Sequence, residues 1–157
     1  MKYTRLTKEQ FEELHEEFIN FLAAQTITAE EWKEIKKKQP EVAEQELDVF
    51  SDLIWEGVLN KVKFLEHISP QQLMLFQISE SHIDLIAIRI SNKDIDITSG
   101  YGYKWLQQNF QDDAVSLYTS TKAIKEDRNR DIFVLIQQGA LITKGELYSY
   151  FRDLLKG

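Results

Sequence analysis

Apolar residues in the first part of the chain recur at steps of three and four. Phe11, Leu14, Phe18 and Phe21 or Leu22 fall on one face, which predicts a helix over 8–24. A shorter helix is expected over 29–38, stopped by Pro40. Leu47, Phe50, Ile54 and Val58 form the stripe of a long helix over 41–65, which Pro40 is well placed to start. After Pro70 the period shortens. "QLMLFQIS" (72–79), "HIDLIAIRIS" (82–91) and "DIDIT" (94–98) are rich in β-branched and apolar residues and separated by two-residue polar turns. They predict an antiparallel meander, with "DLIAIRI", apolar on both faces, as its central strand. A helix over 101–110, a strand over 114–120, a helix over 126–138 ending at Gly139 and a last helix over 144–155 complete the expectation.

Three strings supply the punctuation. "LTKEQF" (6–11), "ITAEEW" (27–32) and "ITKGEL" (142–147) each read apolar, Thr, two spacers, Glu or Gln, apolar. This is the pattern of a capping box with a hydrophobic staple, so each is expected to start a helix. The whole reads as one α+β domain over 1–157, with a helical part over 1–69, a sheet with one crossing helix over 70–120, and helices over 121–157.

The chain has 157 residues and a formal net charge of -7. Residues 1–70 carry 15 Asp and Glu against 9 Lys and Arg; residues 71–157 carry 11 against 10. The acid is therefore in the helical part, and a field of that sign disfavours nucleic acid as a partner. The absence of cysteine excludes disulfides, thiolate metal sites and a Cys nucleophile. The first residues hold no apolar signal core, and no run approaches the ~20 apolar residues of a membrane helix, so a cytoplasmic location without membrane contact is expected.

Several constellations could carry chemistry. "SGYGYKW" places Gly100, Gly102 and Lys104 where a strand gives way to a helix, and such a turn can offer amides and a cation to an anion or cofactor phosphate. The dinucleotide fingerprint is incomplete, because Trp105 stands at the third glycine position. The simpler role for both glycines is a tight turn. Glu12 and His15 form a single Glu-x-x-His, whereas a di-iron bundle needs two. Glu41, Glu44, Asp48, Asp52 and Glu56 share a face of the long helix, which reads as a solvated face or as a docking surface for a basic partner. "KAIKEDRNRDIF" mixes both signs and suits ion pairs at a helix start.

Two resemblances go with these residues. The element order αβββαβ, with Asp84 on the second strand and Asp96 on the third, resembles the core of the PD-(D/E)xK nuclease superfamily. That likeness implies a divalent metal such as Mg²⁺ held by Asp84 and Asp96, a helix acid from Glu56 or Glu66, and a catalytic lysine. Thr98 stands where that lysine belongs, leaving Lys93 or Lys104 to replace it. Over nearly its full length, the chain resembles a family of short, functionally uncharacterised bacterial proteins. "RLTKEQFEEL", "FINFLAAQTITAEEW" and "DRNRDIFVLIQQGALITKGELY" carry this likeness. It implies a stand-alone cytoplasmic domain and supplies no activity. The function expected from the whole is a protein-interaction or regulatory module with a protein partner or a second copy, with no cofactor. A degenerate metal-dependent nuclease or nucleotide-binding protein is the alternative.

Overall fold

In the computed structural model, which describes residues 1–157, the fold is α+β, with seven helices and five strands. The chain divides into two compact units, Met1–Asn60 and Lys61–Gly157.

The first unit is helical: α1 (Lys8–Glu13), α2 (His15–Ala24), α3 (Ala29–Lys38) and α4 (Pro40–Asn60). Thr7 caps α1 as its sequence predicts. Its hydroxyl accepts from the Gln10 amide at 3.2 Å, and the Gln10 side chain accepts from the Thr7 amide at 2.8 Å. Thr28 caps α3 by accepting from the Glu31 amide at 3.1 Å. The predicted 8–24 helix is broken at Leu14 (φ -98°, ψ 26°), so its two halves turn separately around one aromatic residue. That residue is Phe50, fully buried on α4. Phe11, Phe18 and Phe21 surround it with ring centroids at 5.9, 5.0 and 5.3 Å. Edge-to-face and offset contacts at these distances are the favoured aromatic geometries.

The acidic face of α4 is met by the chain's own first residues, while Glu41 and Glu44 stay exposed to solvent. Asp52 accepts from the Lys2 and Tyr3 amides at 2.7 and 2.9 Å, and Arg5 Nε donates to Asp48 at 2.8 Å and pairs also with Glu44. Glu56 takes Lys2 Nζ at 2.9 Å and the Tyr3 hydroxyl. The buried Ser51 accepts from the Leu6 amide at 3.1 Å and donates to the Leu47 carbonyl at 2.8 Å.

The second unit is built on an antiparallel sheet in the order β4-β3-β2-β1-β5. Its strands are β1 (Phe64–Ser69), β2 (Gln72–Ile78), β3 (His82–Ile90), β4 (Val115–Ala123) and β5 (Leu141–Thr143). Helices α5 (Gly100–Gln108), α6 (Arg128–Gln137) and α7 (Glu146–Lys156) complete it. Alternation along β2 and β3 sends Leu73, Leu75, Ile86, Ile88 and Ile90 to one face, where they pack with Leu106 of α5 and Tyr148 and Phe151 of α7. Phe76, Ile83 and Leu85 line the other face beside α6. Asp127 caps α6 by accepting from the Arg130 amide at 3.1 Å. Arg128 reaches the Ser79 carbonyl at 3.2 Å and the Val62 carbonyl, so the mixed charge run anchors a helix start.

Besides the break at Leu14, four elements differ from expectation. The long helix ends at Asn60, and the residues expected to be its last turn begin β1. The middle of the sheet is therefore β2, with β3 beside it. "DIDIT" is not a strand. Ile95 and Ile97 are buried, but the backbone around them is held by turns: Asn92 accepts from the Asp94 amide and Asp96 from the Thr98 amide, both at 2.9 Å. Asx turns of this kind imitate strand alternation in a sequence. Finally, "ITKGEL" starts no helix at its Thr. Ile142 and Thr143 belong to β5, and Gly145 takes the left-handed conformation (φ 84°) against the Phe64 ring. A Cβ there would lie 2.5 Å from that ring, so the glycine sets the turn into α7 and displaces the capping box. The order α4-β1-β2-β3-α5-β4 still reads αβββαβ, but the meander sits one strand earlier than the sequence suggests.

Candidate functional site

The first unit contains an apolar cleft of about 710 Å³ between α1–α2 and α3. Its origin lies in the break at Leu14 and in the size of the unit. Sixty residues cannot enclose so many aromatic groups, because small domains bury a smaller share of their surface. Phe11, Phe18 and Trp32 remain half-buried and line the cleft together with Ile19, which is 47% exposed. Phe18 and Trp32 meet edge to face at 5.3 Å, which fixes the floor.

The rim is basic in an acidic protein. Lys8, Lys33 and Lys36 border the cleft, against Glu12 as its one carboxylate. Lys36 lies 5.9 Å from the Trp32 ring centroid, a cation–π distance that holds the ammonium at the edge of the apolar floor. Arg5 also borders the cleft, but its guanidinium is committed to Glu44 and Asp48. Glu12 and His15, the lone Glu-x-x-His, lie on this rim as exposed side chains, so their place is at a surface groove and not inside a bundle.

The residues singled out for metal or phosphate chemistry lie elsewhere. Asp84 is on β3, opposite Gln77 and Thr121, and shares a cleft with Tyr148, Arg152 and Lys156. Burial, then the charge of Asp84, pushes the Tyr148 hydroxyl pKa up. Asp96 is in the 91–99 turn, where its carboxylate accepts from the Thr98 hydroxyl and amide, which hold its pKa below the usual range. Glu56 is tied to Lys2 and Tyr3 in the helical unit. Glu66 is on β1, where burial and the nearby Glu146 push its pKa up. No three His, Asp or Glu side chains come together as a metal-binding group.

Gly100 and Gly102 are inside the first turn of α5, and neither has a positive φ. The Gly102 amide donates to the Ser99 hydroxyl at 3.0 Å, and the Tyr103 amide to the Ser99 carbonyl at 3.0 Å. These two amides are committed within the chain. Gly102 is there for close approach, since a Cβ on it would stand 1.7 Å from the Asp96 carbonyl oxygen. Lys104 is exposed on the same helix.

Trp32, Lys33 and Lys36 are not among the residues that the sequence singles out for chemistry. The signal was present in "EEWKEIKKK", an amphipathic segment with three lysines in its last turn. It reads as ordinary helix-dipole compensation until the position of α3 is known.

The model of a family of unknown function, DUF6495, matches residues 1–156. No curated protein and no solved structure matches the chain. No helix is long and apolar enough to cross a membrane.

Proposed function

The chain belongs to the DUF6495 family, whose description carries no activity, and we propose that it is a protein-interaction module. Its helical unit would receive an amphipathic partner helix with acidic residues along the margins of its apolar face. The observation that carries this reading is the open cleft with a half-buried aromatic floor and a lysine rim. A groove of this kind is how helices are received elsewhere, with apolar anchors at i, i+3, i+4 and i+7. A small apolar ligand fits less well, because such ligands are normally enclosed over most of their surface and this cleft is open to solvent, with Ile19 of its lining 47% exposed. The charge complementarity is local: three rim lysines select acidic margins against neutral or basic ones.

The test is a displayed library of amphipathic helices with one fixed apolar face and acidic, neutral or basic margins, sorted for binding to the full chain. Acidic margins should be enriched. Ile19→Asp should abolish binding, and the double variant Lys33→Glu, Lys36→Glu should reverse the margin preference. Exposed ion pairs contribute about 0.2 to 1 kcal/mol each, so acidic-margin affinity should fall roughly tenfold in the double variant. Enrichment that ignores the double variant, or no enrichment at all, refutes the reading.

A further inference from the structure

The sheet has two edges, and they are treated differently. β5 is three residues long and is followed at once by Lys144 and Gly145. β4 is nine residues long, pairs with β3 through nine consecutive partners without a bulge, and carries one charged residue, Lys122. Edge strands are usually blunted by charges, proline, bulges or brevity, because their free amides and carbonyls template further pairing. β4 has only its one lysine. Its Leu117 is 43% exposed and its Tyr118 62%.

The ladder shows which backbone groups face outward. Ala114 accepts from the Ser91 amide at 2.9 Å, and the Ile124 amide donates to the Ser81 carbonyl at 2.8 Å, so even-numbered residues turn toward β3. Leu117, Thr119, Thr121 and Ala123 therefore turn their amides away from the sheet.

We infer that β4 is a dimerisation strand that pairs antiparallel with β4 of a second copy about a two-fold axis at Thr119, joining two five-stranded sheets into one. An antiparallel two-fold pairing fixes the sum of partner numbers, and only the axis at Thr119 pairs all nine residues. In that register Thr119 meets Thr119, Leu117 meets Thr121, Tyr118 meets Ser120, and Val115 meets Ala123. Lys122, the one charge, meets Ser116 and not itself. Just beyond the bonded ladder, the exposed Asp113 of each copy meets the exposed Lys125 of the other, one opposite-charge pair at each end. This complementarity is a property of the strand with itself, which makes a second copy the occupant in preference to an unrelated strand. Arg89, beside Ser116 on β3, comes on the same face as the second copy's Lys122. They are two strands apart, ~9.6 Å, close to the screening length at physiological salt. The contact extends past the strand: Leu155 of α7 borders one face of β4 and Val134 of α6 the other, 37% and 38% exposed.

Sedimentation equilibrium on the full chain decides it, at up to roughly 0.5 mM because a single strand pair is a small interface. The expected mass is twice 18.5 kDa. Thr119→Pro should restore the monomer mass with an unchanged circular dichroism spectrum, because the amide it removes has no partner within the chain. The protein has no cysteine, so Thr119→Cys should form a disulfide dimer on mild oxidation, whereas Ser116→Cys, opposite Lys122, should not. A chain monomeric throughout that range overturns the proposal. So does a dimer in which Ser116→Cys cross-links as readily as Thr119→Cys. Should Thr119→Pro unfold, the cross-linking pattern decides alone.

Discussion

Two glycines two residues apart, both in the first turn of α5, should respond to alanine in opposite directions. A Cβ on Gly100 meets no atom within 4 Å. A Cβ on Gly102 meets the Asp96 carbonyl oxygen at 1.7 Å, its carbon at 2.3 Å and the Ile97 nitrogen at 3.0 Å. Carbon contacts are favourable at about 3.5 to 4.0 Å, so Gly102→Ala needs a displacement of roughly 2 Å. No flexible side chain can absorb it, because every atom met is backbone. Helix and turn are also clasped together: the Ser99 hydroxyl accepts from the Gly102 amide at 3.0 Å and donates to the Asp96 carbonyl at 2.6 Å. Moving the turn strains the Ile97 amide bond to the Pro70 carbonyl, 2.9 Å, and lifts Ile95 and Ile97 from the core.

Overpacking costs about 1 to 3 kcal/mol and a lost hydrogen bond about 1 kcal/mol, so Gly102→Ala should destabilise by roughly 3 kcal/mol. For a unit spanning Lys61–Gly157 that corresponds to a fall in Tm of roughly 12 to 20 °C. Gly100→Ala should stabilise by about 0.5 kcal/mol, through reduced freedom of the unfolded chain. Urea and thermal unfolding followed by circular dichroism read both variants. A Gly102→Ala protein within 1 kcal/mol of wild type refutes the packing argument. Equal losses in the two variants would mean that helix propensity, not close approach, governs the turn.

Two pH predictions follow from buried or bonded acids. Burial, reinforced by its bond to Glu56, pushes the Tyr3 hydroxyl up to about 12 from an ordinary 10.0. Between those values the folded state holds a proton that the unfolded chain has lost, so stability falls as pH rises through that window. Ultraviolet titration should show a tyrosine ionising late, Tyr3→Phe should remove that step and flatten the alkaline slope, and an unchanged slope refutes it. Glu66 is raised by burial and by Glu146, so the folded state again binds more protons just above the ordinary carboxylate range. Glu66→Gln should raise Tm at neutral pH, with the gain vanishing on acidification through the folded pKa; a variant that melts lower at pH 7 contradicts this.

The helical unit was legible because its signals are local. Thr7 and Thr28 cap where their spacing says, and Pro40 starts α4 after Gln39, which leaves the helical region (φ -134°, ψ 63°). The sheet was legible in β2, β3 and β4, whose alternation is long. Expectation failed where a tertiary contact overrides a local pattern. "ITKGEL" has every letter of a capping box, yet Ile142 and Thr143 pair with Leu65 and Phe64, a partnership nearly eighty residues away in sequence. "DIDIT" alternates, but Asx bonds at Asn92 and Asp96 close turns that no period can reveal. The cleft was invisible for a similar reason. Lys33, Lys36 and Trp32 become a rim and a floor only when the break at Leu14 sets α1 and α2 against α3.

The distribution of charge shows why a total misleads about partners. The first 70 residues carry six more acids than bases, which suggests an acidic surface awaiting a basic partner. Six of those acids lie on α4, and four of them, Glu44, Asp48, Asp52 and Glu56, are already met by Lys2, Arg5 and two backbone amides of the same chain. The N-terminal segment thus fills the role assigned to an outside partner, and it does so covalently attached, at an effective concentration no free ligand matches. The cleft differs: its lining holds three lysines and Arg5 against one carboxylate, Glu12. Beyond about 8 Å salt screens the net charge of the molecule. The helices that form the cleft also carry Glu9, Glu13, Glu16, Glu30, Glu31 and Glu34, so the basic sign belongs to its lining alone. On the proposed reading, a docked helix meets the sign of the lining first, which is opposite to the sign of the whole.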